Sequence, residues 1–146
     1  MPVVPPPYRE HLPHPQLRGL VACYWSHRST GRARVLPDAC IDLLFRRPLA
    51  APADAPWHAE LIGTMTRAIL SAPLHEEYLG VRFHPGEAPR VLGLAAHEIT
   101  DAKLPLADVW THRDLTRNLA RARTLRDLLS TLDAALLARP LAAPDH

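Results

Sequence analysis

The chain has little of several things that would narrow a function quickly. Its 146 residues hold two cysteines, six glycines and a net charge of only +2 with histidine neutral. Two cysteines make at most one disulfide, which excludes a disulfide-stapled scaffold; Cys23 and Cys40 are expected to be reduced and buried. No glycine-rich phosphate loop and no nucleophile elbow is present. The small net charge gives no bulk electrostatic reason to bind nucleic acid. No apolar run is long enough to span a membrane. The first fifteen residues lack a basic start and an unbroken apolar stretch, so they do not read as a secretory signal, and a cytoplasmic location is the expected default.

Proline, by contrast, occurs 16 times, concentrated near the N-terminus and around residues 48–56. Such clusters read as extended segments and loops, because proline fixes φ and removes a backbone donor. Hydrophobic residues make up 47% and charged residues 22%, ordinary values for one domain with one core. The expected organisation is an extended Pro-rich arm over 1–16, a single domain over 17–140 and a frayed tail over 141–146.

Alternating hydrophobicity and β-forming residues predict strands over 19–28, 40–45 and 78–84, with a short strand near Arg34–Leu36; between Trp57 and Ser71 the apolar spacing permits a helix, but Ile62, Thr64, Thr66, Ile69 and Gly63 favour one or two strands, bent at Gly63. In 19–28 one face carries Val21, Cys23, Trp25 and His27, the other Leu20, Ala22, Tyr24 and Ser26. Ile41, Leu43 and Phe45 oppose Cys40, Asp42 and Leu44. Leu79, Val81 and Phe83 oppose Tyr78, Gly80, Arg82 and His84. Residues 29–32 read as a turn and 46–57 as a loop. After Pro85-Gly86 the period changes to helical. Short helices are expected at 87–93, 95–99 and 105–110, and from Asp114 a leucine stripe runs to Leu136, divided where Thr124 and Asp127 resemble a capping box. Strands first and helices second argue for an α+β fold, with an antiparallel β barrel or sandwich followed by short helices and a C-terminal helix or helical hairpin.

Asp38, Asp42, Arg82 and His84 are the leading polar candidates. Asp42 and Arg82 are each flanked by core residues in a strand, and a buried carboxylate needs a cationic partner. One reading is a pocket in which Arg82 grips an anionic effector and His84 adds a donor or acceptor; the other is an ion pair that fixes register. Tyr24 and Trp25 either line a pocket or belong to the core. The nine histidines contain no i, i+4 pair and no His-x-His, so no metal or other cofactor is expected. Neither cysteine has an evident activating partner, and no catalytic machinery is recognisable, so the expectation is a non-enzyme. Arg113, Arg117 and Arg121 read either as phosphate contacts or as a solvated helix face.

Short motifs in order carry a resemblance: His14-Pro15, Cys23-Tyr24-Trp25, Leu36-Pro37-Asp38, Ile41-Asp42-Leu43, Ile62-Gly63-Thr64, Gly80-Val81-Arg82-Phe83, Pro85-Gly86, Ala96-His97-Glu98 and Val109-Trp110. Together they resemble the N-terminal regulatory domain of AraC/XylS-type bacterial transcription regulators, over roughly residues 8–138. The resemblance implies a cupin-like β portion, a small-molecule effector, a homodimer built on helices, and two helix-turn-helix units elsewhere in the protein. No second pair of basic helices follows Pro140, so DNA contact is expected only through a missing helix-turn-helix domain. The chain is then either a piece of a longer regulator or a stand-alone module. A stand-alone small-molecule-binding protein and a cupin-like metalloenzyme are the alternatives.

Overall fold

The alternation of the central strands dictates a sheet with one oily face, and the computed structural model, which describes residues 8–29, 34–35, 40–64, 69–70 and 75–142, shows where that face goes. Among the described residues eight strands form: β1 (Arg9–His11), β2 (Val21–Ser29), β3 (Arg34–Val35), β4 (Asp42–Pro48), β5 (His58–Ile62), β6 (Ile69–Leu70), β7 (Glu76–Phe83) and β8 (Lys103–Pro105). Six make one antiparallel sheet in the order β1-β2-β7-β4-β5-β8, and β3 pairs with β6 separately. The fold is α+β, with seven of these strands preceding the first α-helix and β8 following it. The six-stranded sheet is not closed into a barrel; its architecture suits the sandwich side of the expectation.

Because cross-strand partners share a face, the register separates two surfaces. Tyr24, Val81, Leu43 and Leu61 stand side by side, as do Leu79, Phe45 and Ala59 in the next row. These residues are buried in one core with the helices. Val21 joins them, opposite Phe83, although simple alternation puts it with Cys23 and Trp25. A register shift between Val21 and Cys23 inserts one residue and turns Val21 inward.

Three other elements differ from expectation. The segment expected to loop from residue 46 continues β4 through Arg46, Arg47 and Pro48, because Glu77 and Glu76 across the ladder extend β7 to meet it. Lys103–Pro105 is an edge strand where no strand was expected, and the short helix expected at 105–110 is a 3₁₀ turn that begins after it. The N-terminal arm is partly a strand: β1 pairs with β2, Leu17 is buried, and Leu12 is exposed. The expected turn beyond Ser29, and the part of the 57–71 region at 65–68, lie outside the described residues. β5 ends at Ile62, and Gly63 lets the backbone approach closely: an added Cβ would meet the Ile99 carbonyl at 1.5 Å.

Helix α1 (Ala88–Leu92) begins with Pro89 in its first turn and ends at Gly93, and 3₁₀ turns follow at Ala96–Ile99 and Leu106–Asp108. Helices α2 (Arg113–Arg121) and α3 (Leu125–Leu137) are divided at Thr124, whose Oγ1 accepts from the Asp127 amide at 3.1 Å. Leu115, Leu119, Leu128, Leu132 and Leu136 bury against the sheet. The arginines of α2 are exposed; Arg117 meets Asp114, 3.6 Å away and largely exposed. Of the tail, Leu141 and Ala142 are described, and the Ala142 amide donates to the Arg90 carbonyl at 2.8 Å. No helix among the described residues is long and apolar enough to cross a membrane.

Polar contacts also reach across this apolar interface. The fully buried Tyr24 donates its hydroxyl to Asp133 Oδ1 of α3 at 2.7 Å, and the His14 amide donates to the same oxygen at 3.0 Å. Burial, then the neighbouring Asp133 carboxylate, push the Tyr24 hydroxyl far above its usual range, so it stays a donor. Tyr24→Phe should destabilise the fold by about 1.5–3 kcal/mol, the worth of a hydrogen bond to a charged group. Urea unfolding measures this; a loss below a few tenths would mean the hydroxyl is idle.

Candidate functional site

The sheet face away from the helical layer carries a polar and aromatic surface, and its order follows from register. One row runs Cys23, Arg82, Asp42, Ile62 and Lys103 across β2, β7, β4, β5 and β8. The next runs Glu10, Trp25, Gly80, Leu44 and Glu60. A third holds His27, Tyr78, Arg46 and His58.

Trp25 is the centre. Its indole lies across Gly80, where an added Cβ would meet the ring at 1.9 Å. Only glycine leaves that space. The indole Nε1 donates to Asp42 Oδ2 at 3.0 Å, and Tyr8 stacks on the ring, with centroids 6.0 Å apart and planes 29° from parallel. Asp42 in turn faces the Arg82 guanidinium, with Nε 3.6 Å from Oδ1. Both are mostly buried, at 15% and 28% side-chain exposure, so neither charge is fully hydrated. Burial works against the Arg82 charge, but the Asp42 carboxylate and the Tyr8 hydroxyl outweigh it and push its ionisation upward. Beside them, the Cys23 thiol is pushed up to about 11, first by burial, with Glu10 and Asp42 adding to it against Arg82. Its Sγ points to Glu10 Oε2 at 3.8 Å. A thiol held neutral in this way is a poor nucleophile.

Further along, Arg46 binds two carboxylates, Glu60 Oε1 at 2.6 Å and Glu76 Oε1 at 3.1 Å, while His58 Nε2 lies 3.4 Å from Glu60. Tyr78 stacks with His27 at 6.2 Å, and burial followed by Glu76 pushes its hydroxyl up to about 12. These groups fix the ladder end and complete a surface of alternating carboxylates, guanidiniums and rings. Such a surface suits orienting a polar ligand through hydrogen bonds and ring contacts.

The structure therefore brings together Trp25, Asp42 and Arg82. It places Tyr24 on the opposite face, in the core, because adjacent strand residues point oppositely. His84 lies beyond the end of β7 and is exposed; its Nε2 donates to the Arg18 carbonyl at 2.9 Å, clipping the β7 terminus to the segment before β2. Asp38 lies outside the described residues. Cys23 is buried and Cys40 half-buried, and they are not joined to each other. Trp57 and Trp110 belong elsewhere, each under a guanidinium: Arg47 at 4.0 Å and Arg139 at 4.7 Å from the ring centroids. Sequence reasoning missed Tyr8, Glu10, Gly80 and Arg46. For Gly80 a signal exists: a glycine inside a strand marks a close approach. Among the described residues no group of three or more His, Cys, Asp or Glu is placed to hold a metal ion.

A family model described as a domain of unknown function (DUF6597) matches residues 9–105, a stretch that contains Glu10, Trp25, Asp42, Gly80 and Arg82. No curated protein and no solved structure matches the chain.

Two outcomes check this geometry. Gly80→Ala should cost about 1–3 kcal/mol by forcing the indole aside, and the loss should shrink in a Trp25→Leu background by more than about 0.5 kcal/mol; additive losses would place the indole elsewhere. In a Cys40→Ser background, absorbance at 240 nm should report a Cys23 thiolate midpoint near the value of about 11. The folded form holds this proton more tightly than the unfolded chain, whose thiol titrates near 9.0. The contribution to stability is therefore full below about pH 9 and falls as pH rises toward 11.

Proposed function

We propose that this chain, which belongs to the DUF6597 family, is the ligand-sensing and dimerisation module of an AraC-type transcription regulator, binding a small effector and controlling a DNA-binding domain. The observation that carries the reading is the division of labour within β2. Trp25 presents its ring to the polar sheet face with Asp42 and Arg82. Its neighbour Tyr24 points through the sheet and grips Asp133 on α3. A ligand seated on Trp25 acts on the same two-residue segment that holds the C-terminal helix.

Two arrangements of β2 against α3 would then differ in affinity for the effector, and binding would bias the helical layer toward one. The effector contacts the exposed Tyr8 ring and the edge of the Trp25 indole, whose faces lie against Gly80 and Tyr8, and meets the Asp42–Arg82 pair by hydrogen bonds. Because Arg82 already faces Asp42, a neutral polar ligand that bridges the pair suits the site better than a bare anion, which would meet that carboxylate. The helical layer offers surface for self-association: Leu125, Leu137 and Leu141 are exposed at 37%, 43% and 45%. A symmetric dimer is the expected form. The chain would act on DNA only through the attached reader.

A thermal-shift screen of small polar metabolites tests this reading. A true effector at about 100 times its Kd should stabilise the chain by about 2.7 kcal/mol. Trp25→Leu and Arg82→Gln should each remove that gain, whereas Tyr24→Phe should keep binding but lose any ligand-dependent change in sedimentation. Effectors that bind both site variants like the parent chain would sink the proposed site.

A further inference from the structure

We propose a second ligand site in this chain: a cavity between the end of the sheet and the α2–α3 junction that binds a small organic anion carrying two or more carboxylate or phosphate charges. The cavity has a volume of about 330 Å³, at the small end of ligand pockets. Its lining includes Arg9, Arg28 and Arg47 from the strands and Arg123 from the α2–α3 junction, with Glu77 as the acidic residue among them. Leu125 of α3 supplies part of an apolar wall. It is distinct from the Trp25 surface, since none of Trp25, Asp42 or Arg82 lines it.

The charge account is what carries the inference. Arg28, Glu77 and Arg47 lie in one row across β2, β7 and β4. Glu77 is committed to Arg47, with Oε2 3.1 Å from Nε. Arg47 is further held by the carbonyls of Ala53 and Ala55 at 3.0 and 3.3 Å and lies over the Trp57 ring. It is therefore a fixed wall of the cavity. Arg28 sits in register with the same glutamate but forms no ion pair with it, and among the described residues neither Arg9, Arg28 nor Arg123 has an acidic partner. Arg123 spends one N–H on the Ala120 carbonyl at 3.2 Å. Three arginines with no acidic partner among the described residues thus line one concavity. Like charges so placed repel one another, and a multiply charged anion relieves that repulsion while gaining forked hydrogen bonds that lysine would not supply.

The first turn of the 13-residue helix α3 borders the same cavity, and its positive dipole end adds to the attraction. The apolar wall selects an anion with a carbon body over a bare inorganic one. Such a ligand would fasten β1 and β2 to the loop that separates α2 from α3.

The test uses the whole chain and three probes at fixed ionic strength: citrate, pyrophosphate and sodium chloride. Calorimetric titration should show citrate binding to the parent chain, pyrophosphate binding more weakly, and no saturable response to chloride. Arg28→Gln with Arg123→Gln should weaken citrate at least tenfold. Arg113→Gln with Arg117→Gln on the outer face of α2 should leave it unchanged. The two cavity arginines are exposed and lack acidic partners, so their replacement should not lower the ligand-free melting temperature, which confirms that the variant is folded. Equal binding in the cavity variant, equal loss in the α2 variant, or no saturable binding of citrate and pyrophosphate would overturn the proposal.

Discussion

The register of β2, β7 and β4 is the constraint on which the rest depends. Side chains along a strand alternate, so a slip of one residue would send Arg82 into the core and Val81 out of it. Apolar burial resists that slip over Leu79, Val81 and Phe83. The ring of Trp25 resists it a second time, because it fits only above the one residue of β7 that lacks a Cβ. Asp42 then receives the indole N–H and faces Arg82, so the charged pair is assembled by the same register that builds the core. The polar surface and the hydrophobic core are two outcomes of one alignment.

The two faces stand back to back at Tyr24 and Trp25 of β2. An apolar sheet–helix interface is tolerant of small sliding, since dispersion contacts are numerous and individually weak. A hydrogen bond from a buried phenol to a carboxylate is directional and tolerates little. Tyr24–Asp133 therefore sets where α3 sits along the sheet, and the His14 amide on the same oxygen brings the N-terminal segment into that fixed point.

Much of this was legible in the chain, and the remainder was hidden for identifiable reasons. Asp42 and Arg82 were readable because each interrupts a strongly apolar strand, and two such interruptions on adjacent strands can only answer each other. The Thr124–Asp127 cap was readable because its chemistry is local. Val21 was misassigned because a bulge is an insertion of one residue that hydrophobic periodicity does not encode. Arg46 and Arg47 looked like loop because their partners, Glu76 and Glu77, lie thirty residues away and make the strand only by pairing. Alternation puts Tyr24 and Trp25 on opposite faces but leaves pocket and core open for each, and only the long-range partner Asp133 shows what Tyr24 does. His84 shares the phase of Arg82 but falls after the ladder ends, where phase no longer fixes direction.

The strands at the rims of the six-stranded sheet have a bearing on assembly. β1 is Arg-Glu-His and β8 is Lys-Leu-Pro, each only three residues long. Charge at one rim and a proline lacking its N–H at the other make both poor templates for a further strand. Copies of this chain are thus discouraged from joining rim to rim into a continuous ladder, the route by which sheet proteins polymerise. What the rims withhold is an open-ended mode of growth, since each added copy of a ladder would expose a fresh edge for the next.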